Sequence, residues 1–210
     1  MKVHSLFPTL VYEHQGTPHE IFLVQDEIKK LLPIIEEQDK FITPDGWTGG
    51  VKTNIKSRYD TITDFKMTNL RCFIEKHVKH YIDLSRAWHP VKIGIRHSWV
   101  NKTDKGEGQE WHQHQDAHIS GTYYYQTTGK DGNFSVMNPT PQMQQELFPF
   151  GNIAQKHIEF TPAIGKILLF PGWLSHCVEE NNTDDTRISI SFNLLRDNWV
   201  DVPVQDRSLI

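Results

Sequence analysis

The segment TRISISFNLL, residues 186–195, alternates without a break: Arg187, Ser189, Ser191 and Asn193 take one parity, and Ile188, Ile190, Phe192 and Leu194 take the other. Successive side chains of a strand leave opposite faces, so this strand must be polar on one side and apolar on the other. It closes a series. From residue 91 the sequence reads as short strands separated by turns, with VKIGIRHSWVN, HISGTYYYQTT, GNFSVMN, KHIEFTP, GKILLFPG and SHCVEE preceding the last one. That spacing belongs to a β-sandwich or barrel. A two-faced final strand in such an array needs apolar cover on one side and room for polar groups on the other.

The cover is available upstream. In HEIFLVQDEIKKLLPIIEEQDK, Val24, Ile28, Leu31 and Ile35 recur at three- and four-residue steps, with Pro33 expected to kink or divide the helix. In FKMTNLRCFIEKHVKHYIDLSRAW, Leu70, Phe73, Ile74, Val78, Tyr81 and Ile82 make one apolar face, with His77 and His80 expected on a solvated edge. The expected fold is therefore mainly β (α+β), a jelly roll or double-stranded β-helix of cupin-like form. The N-terminal amphipathic helices pack on one sheet, and the polar face lines a cavity. The chain is expected to form one domain over residues 1–210, with a helical part at 1–90, a jelly-roll core at 91–196 and a tail at 197–210. TPDGWTGGVKTN, residues 43–54, reads as a loop or hairpin, and NPTPQMQQELFPFGNIAQ, residues 138–155, as a long loop. Specificity is expected in the loops around residues 40–58 and 138–155.

Composition narrows the function classes. A formal net charge of -4, without long like-charge runs, gives no electrostatic footprint for nucleic acid or an anionic membrane. No segment reaches the roughly 20 apolar residues of a membrane span, and the opening MKVHSLFPTLVYEHQG is too short and too interrupted for a secretion signal. The two cysteines, Cys72 and Cys177, make no disulfide framework and no thiolate cluster. These features point to a soluble, intracellular, cytoplasmic protein. Oligomeric state is open, and apolar surface on the helices leaves a homodimer as one option.

The chemistry gathers in WHQHQDAHISGTYYY, residues 111–125. A two-histidine, one-carboxylate Fe(II) site needs three facial ligands and leaves positions open for co-substrate and oxygen. His114 and Asp116 stand two residues apart, so on extended backbone they leave the same face and can share one ion. The third ligand must come from another strand, and His176 in FPGWLSHCVEEN is the candidate. Eleven residues later Arg187 lies on the polar face of the last strand, with Ser189 at the next position of that face. A guanidinium beside a hydroxyl makes a receptor for a carboxylate.

With these residues in place the sequence resembles the 2-oxoglutarate and Fe(II)-dependent oxygenases, in their prolyl-hydroxylase-like branch. GEGQEWHQHQD, from Gly106, resembles the aromatic-x-x-His-x-Asp entry to that family's metal site. The opening HSLFPTLVY, the SW and SGxYY segments and the closing FPxWLxH…RxSxSFN are similar to uncharacterised oxygenases of marine bacteria and their phages. The resemblance covers about residues 98 to 195. It implies Fe(II) held by His114, Asp116 and His176, and 2-oxoglutarate held by Arg187 and Ser189. It also implies a tyrosine of the 123–125 run at the co-substrate, with Tyr123 and Tyr125, which share one face, as the candidates and Tyr124 on the other face. The implied reaction consumes molecular oxygen, converts 2-oxoglutarate to succinate and hydroxylates an unidentified small molecule or protein side chain.

Several alternatives stay open on the residues alone. His112 also stands at a two-residue spacing from His114, so a three-histidine set of His112, His114 and His176 competes with the carboxylate set. Otherwise His112 and Trp111 take supporting positions. His118 shares the face of His114, but a fourth ligand would fill a position the chemistry needs open. His97 and Cys177 are expected to be structural, and His157 opens a strand without an evident partner. Two other classes use the same fold: a cupin-like metal protein that never uses 2-oxoglutarate, and a virion or carbohydrate-binding jelly roll without metal.

Overall fold

A computed structural model describes residue 2 and residues 8–85, 92–140 and 155–196. The expected tail at 197–210 and most of the expected loop at 138–155 lie outside the described residues.

Thirteen elements are described along the chain. β1 (Tyr12–Gln15) and α1 (Pro18–Gln38) are followed by β2 (Lys52–Thr53), α2 (Thr61–Asp64) and α3 (Thr68–Leu84). The strand-rich part contains β3 (Ile93–Thr103), β4 (Gln109–His112), β5 (Ile119–Gln126), β6 (Phe134–Met137), β7 (His157–Phe160), β8 (Lys166–Pro171), β9 (His176–Val178) and β10 (Arg187–Arg196). Two antiparallel sheets result, a six-stranded one in the order β1-β8-β5-β10-β3-β2 and a four-stranded one in the order β4-β9-β6-β7. This is the expected jelly roll.

The helices start and pack for identifiable reasons. Thr17 and Glu20 form a reciprocal capping box ahead of α1, and Pro18 takes the first turn, where its missing N–H costs nothing. Val24, Ile28, Leu32 and Ile35 are the buried residues of α1, so Leu32 goes in deeper than the expected Leu31, which is only partly buried. Pro33 does not divide the helix. It sits on the exposed face, beside the exposed Lys29 whose carbonyl it leaves without a helical donor, so water can take that bond. The α3 N-terminus has no cap of its own. Instead, the Glu27 carboxylate of α1 accepts the Asn69 and Leu70 amides, each at 2.9 Å, which ties one helix to the other.

Both helices bury their apolar faces on the outer side of the large sheet, against Ile188, Ile190, Phe192 and Leu194 of β10 and Tyr123 of β5. A second, smaller core of Tyr124, Phe134, Val136, Leu168, Phe170 and Leu174 joins the two sheets. The alternation read in residues 186–195 is thus the division between helix-covered and inner faces. His77 corrects the sequence expectation. It is 1 % exposed, pairs with the Tyr12 hydroxyl at 2.8 Å and stacks with His14 at 4.2 Å between ring centroids. Burial, with the nearby positive charge, lowers its pKa to about 4.

Candidate metal centre and its cavity

β4 lies beside β9 in the small sheet, with His112 directly opposite His176. His114 follows β4 by two residues, and its amide donates to the Gly172 carbonyl at 2.8 Å. Gly172 belongs to the turn that leads from β8 into β9. Any Cβ there would lie 2.2 Å from the Ala117 oxygen and 2.6 Å from the His114 oxygen. Only a glycine lets the two turns close on each other. The result is that one ligand-type atom from each of His112, His114 and His176 lies within 4.8 Å of the others. Among the described residues this is the group of histidine, cysteine or acidic side chains that converges in this way.

The expected pairing of His114 with Asp116 required extended backbone between them. The chain turns there instead, the Ala117 amide closing on the His114 carbonyl at 3.0 Å, and Asp116 is carried to an exposed position. His112 and His114 come together with His176, and Asp116 is not in the converging group.

Hydrogen bonds orient all three rings. His112 Nδ1 meets the Glu110 carbonyl at 2.7 Å, and His176 Nδ1 meets the Leu174 carbonyl at 2.8 Å. A carbonyl can only accept, so both Nδ1 atoms carry the proton and Nε2 keeps a lone pair. His114 Nδ1 donates to Asn193 Oδ1 at 2.8 Å, and the Ser120 hydroxyl donates to the same oxygen at 2.8 Å. Burial is the main cause that lowers the pKa of each ring, His114 to about 4 and His176 well below its ordinary value, where the other two histidines add to the effect. The neutral imidazole so favoured is the ligand form.

The histidines line a cavity of about 660 Å³, counting its open mouth, which lies between the sheets. Its polar wall comes from β10 and β5, where Ser189 pairs with Tyr124 and Ser191 with Thr122; Asn193 and Ser120, the next pair along, back His114. Arg187 lines it too and is 2 % exposed. Its Nη1 donates to the carbonyls of Asp131 and Gly132, the latter at 2.9 Å. Gly132, at φ 93°, brings that turn against the Glu179 carbonyl, which a Cβ would approach to 2.2 Å. No carboxylate lies within ion-pair distance of the guanidinium among the described residues. Burial pulls its pKa down, with Tyr124, Asp131 and Glu179 acting the other way. Such a cation calls for an anion in the cavity.

Tyr123 and Tyr125, expected at the co-substrate, instead pack with the helix-side core. Tyr124 faces the cavity. The alternation of Ser120, Thr122 and Tyr124 against Ile119, Gly121 and Tyr123 carried that signal in the sequence. Trp47, Val51 and Ile55 from the 40–58 loop also line the cavity, while Trp111 points away and is 41 % exposed, edge-on to His157. Cys177 lies on the outer face of β9, and His157 pairs with Glu159 at 3.1 Å. No described helix is long and apolar enough to cross a membrane.

Residues 97–193 match the family described as "Putative 2OG-Fe(II) oxygenase", a span that includes all three histidines and Arg187. No curated protein matches the chain in sequence. The fold is similar to that of the non-haem alpha ketoglutarate dependent carbocyclase SnoK from nogalamycin biosynthesis. That match has a TM-score of 0.61 at 13% identity and covers 90% of this chain and 80% of the other. A Pseudomonas putida prolyl-4-hydroxylase is similar with a TM-score of 0.54 at 11% identity, over 90% of this chain and 94% of its own. The viral collagen prolyl hydroxylase of Paramecium Bursaria Chlorella virus-1 is similar with a TM-score of 0.51 at 14% identity, over 90% and 96%.

Proposed function

Taking residues 97–193 as a 2OG-Fe(II) oxygenase segment, we propose that His112, His114 and His176 hold the iron and that Arg187, with Ser189 and Tyr124, receives the distal carboxylate of 2-oxoglutarate. When bound, iron and 2-oxoglutarate supply the oxidising power, with molecular oxygen, to hydroxylate a substrate while 2-oxoglutarate becomes succinate and carbon dioxide. The observation that carries this reading is one cavity holding three neutral, pre-oriented imidazoles and a buried guanidinium that has no carboxylate partner among the described residues.

The donor set fits a divalent first-row metal. Three imidazole nitrogens suit iron, zinc or nickel, and a three-ligand set leaves further positions open. The protein's own share is positioning and shielding. The Glu110 and Leu174 carbonyls and the Asn193 amide hold each ring with its Nε2 lone pair free. Phe134, Phe170, Trp99 and Val51 exclude water from the polar wall. Arg187 neutralises the carboxylate it binds and fixes its direction. Apart from Arg187 and the histidines, the lining side chains among the described residues are uncharged, which favours an uncharged reacting group, on a small molecule or a protein side chain.

The test is an anaerobic titration of metal-free protein with Fe(II) and then 2-oxoglutarate, followed by the visible charge-transfer band of a chelated 2-oxo acid. The band should form in the wild type, fail in His176→Ala and His112→Ala, and weaken in Arg187→Ala. Asp116→Ala should leave it intact. Loss of the band in Asp116→Ala with retention in His112→Ala would restore the carboxylate set. Iron binding without any band would favour a metal protein that does not use 2-oxoglutarate.

A further inference from the structure

Three neutral donors leave the metal with its full charge. A two-histidine, one-carboxylate set reduces a divalent ion to a net charge of about +1 at the ligand shell, whereas three imidazoles leave about +2. The rings here are backed by neutral acceptors as well. His112 and His176 donate to backbone carbonyls and His114 to an amide oxygen, so no carboxylate lends charge through a histidine. The acidic side chains closest in sequence, Glu110 and Asp116, act on His112 and His114 through space only and supply no ligand. Glu110 accepts the Thr48 amide at 3.2 Å, Asp116 is exposed in its turn, and neither joins the converging group. Among the described residues the lining side chains include no aspartate and no glutamate, while Arg187 adds a further positive charge.

We propose that His114 stands where a carboxylate stands in the two-histidine, one-carboxylate set. The bound 2-oxo acid then supplies the only negative charge at the metal, and metal and co-substrate bind as a strongly coupled pair. This rests on the reading of His112, His114 and His176 as ligands. A dianion approaching a centre of doubled net charge gains a larger Coulomb attraction in a cavity walled by Phe134, Phe170 and Trp99 than it would in water. Linkage makes the effect reciprocal: whatever factor 2-oxoglutarate adds to metal affinity, the metal adds to 2-oxoglutarate affinity. Asn193 and Ser120 are positioning residues here, holding His114 in the donor role through one shared oxygen.

The experiment measures Mn(II) affinity by calorimetry under nitrogen, with and without saturating 2-oxoglutarate, in the wild type, in His114→Asp and in Asn193→Asp. Wild-type protein should bind Mn(II) weakly alone and on the order of 50-fold more tightly with 2-oxoglutarate, toward the upper part of ordinary coupling factors. His114→Asp should bind Mn(II) more tightly alone and show a coupling factor reduced at least about fivefold. Asn193→Asp, which keeps the ligand and places a charge behind it, should shift both values the same way by less and covers the case in which His114→Asp fails to fold. An undiminished coupling factor in the folded variants overturns the proposal while leaving the metal site standing. If wild-type protein binds no Mn(II) under either condition, or His112→Ala binds it unchanged, the ligand reading itself fails.

Discussion

Replacing Gly172 by alanine tests how the site is assembled without touching a ligand. Gly172 does not adopt a positive φ, so backbone strain is not at issue and the effect is steric. A Cβ at this position would sit 2.2 Å from the Ala117 oxygen and 2.6 Å from the His114 oxygen, where ordinary contact begins at 3.4 Å. The obstacle is backbone in a turn, not the end of a flexible side chain, so the 114–117 turn must retreat by about 1 Å. That retreat breaks the 2.8 Å bond from the His114 amide to the Gly172 carbonyl and moves His114 from its place beside His112 and His176. Overpacking of this kind costs about 1–3 kcal/mol of stability. Mispositioning a ligand's support costs about 10- to 100-fold in metal affinity. The assay is a competition titration of Mn(II) or Zn(II) against a chromophoric chelator, with thermal melting run alongside. Gly172→Ala should lose metal affinity by that factor and also lose most of the metal-induced rise in Tm. A protein that melts lower yet binds metal with wild-type affinity would refute the argument that this contact sets His114.

Tyr124→Phe should weaken 2-oxoglutarate binding about fivefold, the worth of one hydrogen bond of about 1 kcal/mol, whereas Tyr123→Phe should leave it unchanged; equilibrium titration of the two variants checks the assignment of faces. Arg187→Met should raise the 2-oxoglutarate Kd by at least about 30-fold, as expected for loss of a buried ionic contact worth about 2–5 kcal/mol. His77 makes the metal-free protein acid-sensitive: its folded pKa is lowered to about 4, so the unfolded chain takes up a proton that the folded one refuses as pH falls from about 6.5 toward 4. Stability from this group is therefore complete above pH 6.5 and declines below it by up to about 3 kcal/mol. His77→Leu should flatten the stability profile by up to one proton over that window, and an unchanged slope would show that His77 is solvated.

What the sequence made legible follows from the range of the interaction that writes it. The two faces of β10 are a property of one strand with period two, so Arg187, Ser189, Ser191 and Asn193 could be assigned to the inner side before any partner strand was known. The apolar stripes of α1 and α3 are local in the same sense. β1, β2 and β4 carry no such signal although β6, β7 and β9 are as short: β1 and β2 stand outside the strand-rich series, and β4 (QEWH) has no apolar alternation. His77 was misplaced because its neighbours come from β1, 65 residues away in sequence, and a histidine on a lysine-rich helix gives no sign of that. The tyrosine run offered the right alternation, but three equal residues hide parity unless Ser120 and Thr122 are counted with them. The ligand set shows the limit most clearly. Whether His114 pairs with His112 or with Asp116 depends on a turn at 114–117, and that turn is held by Gly172 across more than fifty residues of chain. A spacing of two residues is evidence for a shared face only while the backbone stays extended. The contact that ends the extension here is written in a different part of the sequence from the histidines it arranges.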